Sequence, residues 1–106
     1  MQKFMALVEA LFAHLVDEPA ALSPEIRRAI LARAAGQGDG VALDAPLAEW
    51  VDTIADKAYR TTPEQVARMR EAGLDEDAIF EATLCAAAAA GRVRLDRGLA
   101  VIRERR

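Results

Sequence analysis

The sequence predicts an all-α protein, folded as a compact bundle of about five to six helices around a central alanine-rich helix. Three observations predict it. No segment alternates apolar and polar residues with the period of two that is typical of a strand. Capping residues and prolines recur just before apolar patterns of helical period. One segment, residues 82–91, reads ATLCAAAAAG and carries no charge.

The segment 82–91 is apolar on every side, whereas a surface helix shows one apolar stripe. We therefore expect this helix to be central and surrounded by other protein. Alanine combines the best helix propensity with almost no side chain, so neighbouring helices can approach closely. Close approach favours oligomers as well as cores, and the sequence predicts a homo-oligomer formed through this helix.

Length and composition indicate one globular domain of 106 residues, 53% apolar and 29% charged. The net charge of -3 argues against a nucleic-acid binder, which is usually strongly basic. The sequence contains no run of about 18 uncharged apolar residues, so no membrane span is predicted. The single cysteine favours a reducing, cytoplasmic setting. The arginines near the end are interpreted as cations that complement a helix dipole: Arg92, Arg94, Arg97, Arg103, Arg105 and Arg106.

The first 35 residues are predicted to form a helical pair. Apolar residues from Phe4 to Leu15 fall on one face of an amphipathic first helix. Ser23, followed by Pro24, is a strong start for a second helix, which runs to about Ala35. A glycine-rich loop, 36–43, then separates this pair from residues 44–106, which we expect to be the core of the fold, with the pair as a variable attachment.

Three more helices are predicted in the core. The third begins near Asp44, a candidate N-cap. The fourth begins with a capping box formed by Thr62 and Gln65 and ends at Gly73. Asp75 caps a fifth helix that enters the alanine-rich segment, and this helix either continues through Gly91 or bends there.

Three residues that often carry chemistry have simpler interpretations here. Trp50 lies on the apolar face of the third helix and is interpreted as a core anchor rather than a ligand platform. His14 has no second His or Cys at metal-ligand spacing, so no metal site is predicted. Cys85 lies among alanines and is expected to have no nearby cation, which predicts a raised pKa and an inert, packed cysteine.

Residues 54–102 read IADKAYRTTPEQVARMREAGLDEDAIFEATLCAAAAAGRVRLDRGLAVI. A short helix ends in an alanine-glycine-leucine turn, a capped DEDAIFE restart follows, and a long helix of small residues ends in Arg-Leu-Asp-x-Gly-Leu. This half of the chain resembles the carboxymuconolactone decarboxylase and alkylhydroperoxidase-D-like superfamily. The resemblance implies a helical fold that assembles as dimers, trimers or hexamers.

Redox-active members of that superfamily use a Cys-x-x-Cys pair, a histidine four residues after the second cysteine, and an upstream glutamate. Aligning the turn at Ala72 and Gly73 puts the two cysteine positions on Ala58 and Thr61 and the histidine position on Gln65. A second alignment, to the C-terminal repeat of longer members, also lacks the pair. Dithiol peroxidase chemistry is therefore not expected, because a thiolate must attack and a second thiol must resolve it.

Decarboxylase members of the superfamily work without the dithiol, so the resemblance still implies candidate catalytic residues in the corresponding region: Glu49, Tyr59, Arg60, Thr61 and Gln65. Each also has a local structural explanation, as a solvated helix residue, a ring at the core edge, a helix C-terminal cation or capping chemistry.

The sequence leaves three hypotheses for function. The first is a non-catalytic, self-associating helical protein that serves as an accessory or interaction subunit, with a possible protein partner. The second is a small-molecule enzyme of the decarboxylase or lactone type. The third, a nucleic-acid or partner-binding module that uses the arginine-rich end, is disfavoured by the acidic charge. No cofactor is predicted for any of them.

Overall fold

The structure is a computed structural model that describes residues 2–17, 20–37 and 42–104, with the backbone alone for 15–17. Five α-helices follow in order: α1 (Gln2–Asp17), α2 (Pro24–Ala34), α3 (Ala45–Lys57), α4 (Pro63–Glu71) and α5 (Glu76–Glu104). A short 3-10 helix, Ala58–Arg60, joins α3 to α4. The described residues contain no strand, so the prediction of an all-α fold is confirmed.

Three of the four predicted N-caps form the expected hydrogen bonds. The Ser23 hydroxyl accepts from the Ile26 N–H of α2 at 3.2 Å. At α4 the capping box is complete, since Thr62 and Gln65 each bond the backbone N–H of the other. Asp75 accepts from the Ala78 N–H at 2.9 Å and caps α5. Capping satisfies amide groups that have no partner within the first turn.

Asp44 occupies the predicted N-cap position of α3 without forming the capping hydrogen bond. This residue precedes α3 with extended backbone, but its side chain makes no cap hydrogen bond. At the helix ends, Gly36 and Gly73 take positive φ angles of 82° and 98°, as expected for left-handed residues that end a helix. Part of the predicted glycine-rich loop, residues 38–41, lies outside the described residues.

Helix α5 lies at the centre of the packing, with α2 and α3 making the most extensive contacts to it. The largest fully buried side chains are Ile30 of α2, Val51 of α3, Met69 of α4 and Cys85 of α5. Because α2 contributes to this single core, the glycine-rich loop does not separate two packing units. Helix α2 thus lies at the centre of the described fold, and the variable character of the N-terminal pair stays a prediction.

Trp50 is a core anchor, as predicted. Its ring is buried between α3 and α5, and its indole N–H donates to the Thr83 hydroxyl at 2.8 Å. The same hydroxyl donates to the Ile79 carbonyl at 2.7 Å. Burying an indole N–H without an acceptor would cost about 1–3 kcal/mol, so this chain of hydrogen bonds makes the burial of the large ring favourable.

Helix α1 is formed as predicted but leaves most of its apolar face open. It packs on α2 and reaches α5 through Arg92, whose guanidinium pairs with Glu9 and lies 5.0 Å from the centre of the Phe12 ring. Leu7 and Leu11 remain exposed, at 69% and 50%. None of the described helices is both long enough and apolar enough to span a membrane.

Candidate functional site

Two of the five candidate residues meet where α3 and α4 pack. Gln65 of α4 donates through its side-chain nitrogen to the Thr53 hydroxyl at 3.0 Å and to the Glu49 carboxylate at 3.4 Å. Arg68 donates to the same carboxylate oxygen at 2.9 Å. These four residues, Glu49, Thr53, Gln65 and Arg68, form what we call the α3–α4 polar cluster.

The cluster works as a clamp between two helices. Gln65 is only 6% exposed, and both ends of its amide form hydrogen bonds. The oxygen accepts from the Thr62 N–H, and the nitrogen donates to Thr53 of α3. Glu49 is exposed, and its carboxylate pairs with Arg68. An exposed ion pair of this kind contributes about 0.2–1 kcal/mol, so the cluster orients α4 on α3.

The other three candidates lie apart from this cluster. Tyr59 is 79% exposed, and the Arg60 guanidinium lies 5.9 Å from the centre of its ring. The Thr61 hydroxyl donates to the Ala58 carbonyl at 3.0 Å, which closes the 3-10 turn. Among the described residues, no hydrogen bond therefore joins Tyr59 or Thr61 to Glu49 or Gln65.

A shallow polar depression of about 280 Å³ lies beside the cluster, lined by Asp52, Thr53, Asp56, Lys57 and Arg60. Arg60 is the one sequence candidate among the lining residues. Asp52 is already held by a bidentate pair with Arg33 of α2, at 2.7 and 2.8 Å. Ligand sites are usually concave and lined mostly by apolar side chains with a few polar groups, whereas every residue that lines this depression is of a charged or polar type.

Thr53 and Arg68 belong to the cluster but are not among the residues that the sequence predicts as candidates. A spacing signal existed for both. Thr53 follows Glu49 by four residues on α3, and Arg68 follows Gln65 by three on α4, so each pair shares a helix face. What the spacing could not show is that the two faces meet.

Cys85 is buried at 1% exposure on the core side of α5. Burial raises the pKa of its thiol, Arg27 opposes the rise, and Glu81 adds to it. The expectation of no nearby cation is thus wrong, because Arg27 of α2 folds against this part of α5 and is itself buried. The expectation of a raised pKa holds, since burial outweighs the cation.

No group of three or more His, Cys, Asp or Glu side chains in the described part of the chain is arranged to hold a metal ion. His14 is exposed near the end of α1. A second depression of about 340 Å³ lies between α1, α2 and α5 and includes Phe12, Leu31, Arg92 and Asp96. Its charged groups already interact, because Arg92 bonds Glu9 and approaches Asp96.

A further exposed surface lies on α5, which continues through Gly91 without a break in its α-helix. Its core side carries Cys85 and most of the buried alanines. The opposite side carries an apolar row with residue spacings of four, three and four, repeated once. We call this row the α5 stripe, and it consists of Phe80, Leu84, Ala87, Gly91, Leu95, Gly98 and Ile102.

Most of the α5 stripe is exposed in the single chain. Phe80 is 67% exposed, Leu84 46% and Ile102 54%. Ala87, Gly91 and Gly98 are exposed as well, and Leu95 is half-buried. The alanine-rich helix, expected to be surrounded by protein, is therefore covered on one side only by its own chain.

Comparison of the chain with protein-family models, with curated proteins and with solved structures finds no match.

Proposed function

We propose that the chain is a non-catalytic, redox-inactive helical protein that self-associates through α5 and serves as an accessory or interaction subunit. The observation that carries the proposal is the exposed α5 stripe. Contiguous exposed apolar rows on a folded domain mark interaction sites, whereas single exposed apolar residues are ordinary. The resemblance to the carboxymuconolactone decarboxylase superfamily, many of whose members are oligomers, supports the same proposal.

The absence of dithiol chemistry is part of the proposal. Cys85 is the single thiol of the chain, its side chain is buried, and its pKa is raised. The local roles of Gln65 and Thr61 in helix capping and turn closure account for their presence without a catalytic role. The single cysteine also fits a cytoplasmic location, which stays a prediction.

Size-exclusion chromatography with light scattering tests the proposal. The unmodified chain is expected to run above its monomer mass of 11.5 kDa. Leu84→Glu should give a monomer, because a carboxylate in an apolar interface would lose its hydration. Leu7→Glu is the matched control, an exposed leucine of α1, and should leave the mass unchanged. Dissociation by Leu7→Glu but not by Leu84→Glu would contradict the proposal.

A small-molecule enzyme of the decarboxylase or lactone type is the second candidate. It is favoured by one observation: Glu49 and Gln65 lie in contact beside the depression that Thr53 and Arg60 line. The expected result is turnover of a carboxylated lactone that Glu49→Gln abolishes and Glu64→Gln, an exposed control on α4, preserves. A chain without turnover on such substrates removes this candidate.

A further inference from the structure

We propose that two copies of the chain pair through the α5 stripe in antiparallel orientation about a two-fold axis between residues 85 and 86. This inference rests on the proposed self-association and specifies its geometry. It is carried by two properties of the stripe, its distribution of large and small side chains and the charges at its border. In both side-chain size and charge, the stripe is complementary to a second copy of itself that runs in the opposite direction.

Along the N-terminal half of the stripe two large residues, Phe80 and Leu84, are followed by two small ones, Ala87 and Gly91, and this order fits an antiparallel copy. With the axis between residues 85 and 86, Phe80 lies opposite Gly91 of the second copy, and Leu84 lies opposite Ala87 of the second copy. The symmetry repeats both contacts, because in an isologous interface residue i meets j and j meets i. A large side chain over a small one allows dense packing without strain.

The charges at the border of the stripe follow the same register. Asp77 lies two turns before Leu84 on the same side of α5, and Arg94 follows Gly91 by three residues; both are exposed. The axis that pairs Phe80 with Gly91 also sets Asp77 opposite Arg94 of the second copy. One guanidinium nitrogen of Arg94 donates to the Ala55 carbonyl at 2.9 Å, which orients this side chain and leaves other donors for a carboxylate.

A parallel arrangement lacks these advantages. In a parallel two-fold pair each residue meets its own copy, so Phe80 would meet Phe80, and Asp77 and Arg94 would each meet a like charge. The helix dipoles would also be aligned rather than opposed. Like charges brought together disfavour a wrong arrangement, so the border charges select the antiparallel one.

The repeat of the stripe keeps the two helices in contact along the overlap. Spacings of four, three and four give an 11-residue repeat, or about 3.67 residues per turn, close to the 3.6 of a straight α-helix. The stripe therefore drifts little around α5. Residues 76–95 of one copy overlap the same residues of the other.

Two glycines provide a steric test of the register. A Cβ added at Gly91 or at Gly98 meets no atom within 4 Å in the single chain. Alanine at either position should raise the melting temperature of the monomer by about 4 °C, since glycine disfavours a helix interior. Gly91→Ala alone should weaken association, by about tenfold, because its methyl group meets Phe80 of the second copy twice in the dimer. Equal effects of the two variants on association would overturn the register.

Exchanging the charges of Asp77 and Arg94 tests the antiparallel register directly. The measured quantity is the dissociation constant, obtained from sedimentation equilibrium at low salt. Asp77→Arg and Arg94→Asp should each weaken association about tenfold, and the double variant should return to within about threefold of the unmodified chain. Two charge reversals away from the stripe are the controls: Glu71→Arg on α4, and Arg97→Asp, which lies one turn beyond Arg94. Each should change the dissociation constant by less than about threefold.

The outcomes separate the two proposals. If the unmodified chain associates and the double variant is no tighter than the single ones, the antiparallel register is wrong while self-association stands. If the unmodified chain is a monomer at every concentration, both fall. Recovery in the double variant, with unaffected controls, supports the register.

Discussion

At the scale of single residues, the environment of Cys85 decides what chemistry its thiol can do. A reactive cysteine needs a stabilised thiolate and access to its partner. Here burial raises the pKa of the thiol, and the nearby Arg27 only partly offsets the rise. The thiol is therefore neutral at physiological pH and enclosed by the core, so it packs as a small apolar side chain.

The raised pKa of Cys85 predicts how stability depends on pH. The folded state holds this proton more tightly than the unfolded chain, whose thiol has the ordinary pKa of 9.0. The contribution to stability is thus fully present below about pH 9 and is lost as the pH rises from there towards the folded pKa. Denaturant unfolding should show a steeper loss above pH 9 for the unmodified chain than for Cys85→Ala.

The same variant supplies its own control. At pH 7 Cys85→Ala should lower the free energy of unfolding by about 1 kcal/mol, because a buried sulfur is removed. All other titrating groups are unchanged, so their part of the pH dependence cancels in the comparison. Identical slopes for the two proteins above pH 9 would contradict the assigned environment.

At the scale of helices, local signals determine where each element begins. Thr62 and Gln65 form a complete capping box, and Asp75 bonds the first turn of α5. Asp44 occupies the same position before α3 but makes no side-chain bond. The two kinds of N-cap therefore differ in energy although the residue types suggest equal strength.

Substitution of the caps should reveal this difference. Thr62→Ala is expected to lower the free energy of unfolding by about 1 kcal/mol, since it breaks the capping box. Asp44→Ala should cost only about 0.3 kcal/mol, the loss of a negative charge near a helix start. Chemical denaturation of both variants measures the difference, and equal losses would show that Asp44 caps α3 in solution.

Such local signals explain why the sequence predicts the helices better than their environment. Ser23, Thr62 and Asp75 act on amides within three residues, so their roles are readable along the chain. The exposure of Leu84 depends instead on which side of α5 the helices α2 and α3 cover, and nothing within α5 specifies that. An all-apolar segment reads as buried on every side, yet its own chain covers only one.

The candidate site shows the same limit. Glu49 and Gln65 are candidates because of the resemblance, and the structure places them in contact. Their partner Arg68 and the proximity of Arg27 to Cys85 depend on the packing of different helices. Those contacts require the tertiary arrangement, for which a single sequence offers no period or spacing to read.

At the scale of the whole molecule, one side of α5 is packed against the core and the opposite side is exposed to solvent. The core joins α2, α3, α4 and the inner face of α5, while the α5 stripe and two leucines of α1, Leu7 and Leu11, face outwards. Removing a half-exposed leucine or phenylalanine from water is worth on the order of 1 kcal/mol. A second copy that covers the stripe within residues 76–95 would gain this several times over, because both chains contribute, and this is the physical basis of the proposed assembly.

The measurement that tests this claim most directly is the mass of the unmodified chain by sedimentation equilibrium across a wide concentration range. Pairing through the α5 stripe predicts a mass that rises with concentration from 11.5 kDa to twice that value, or that stays at twice that value throughout. A mass of 11.5 kDa at every concentration would mean that the α5 stripe remains open to water and that the protein does not act by self-association.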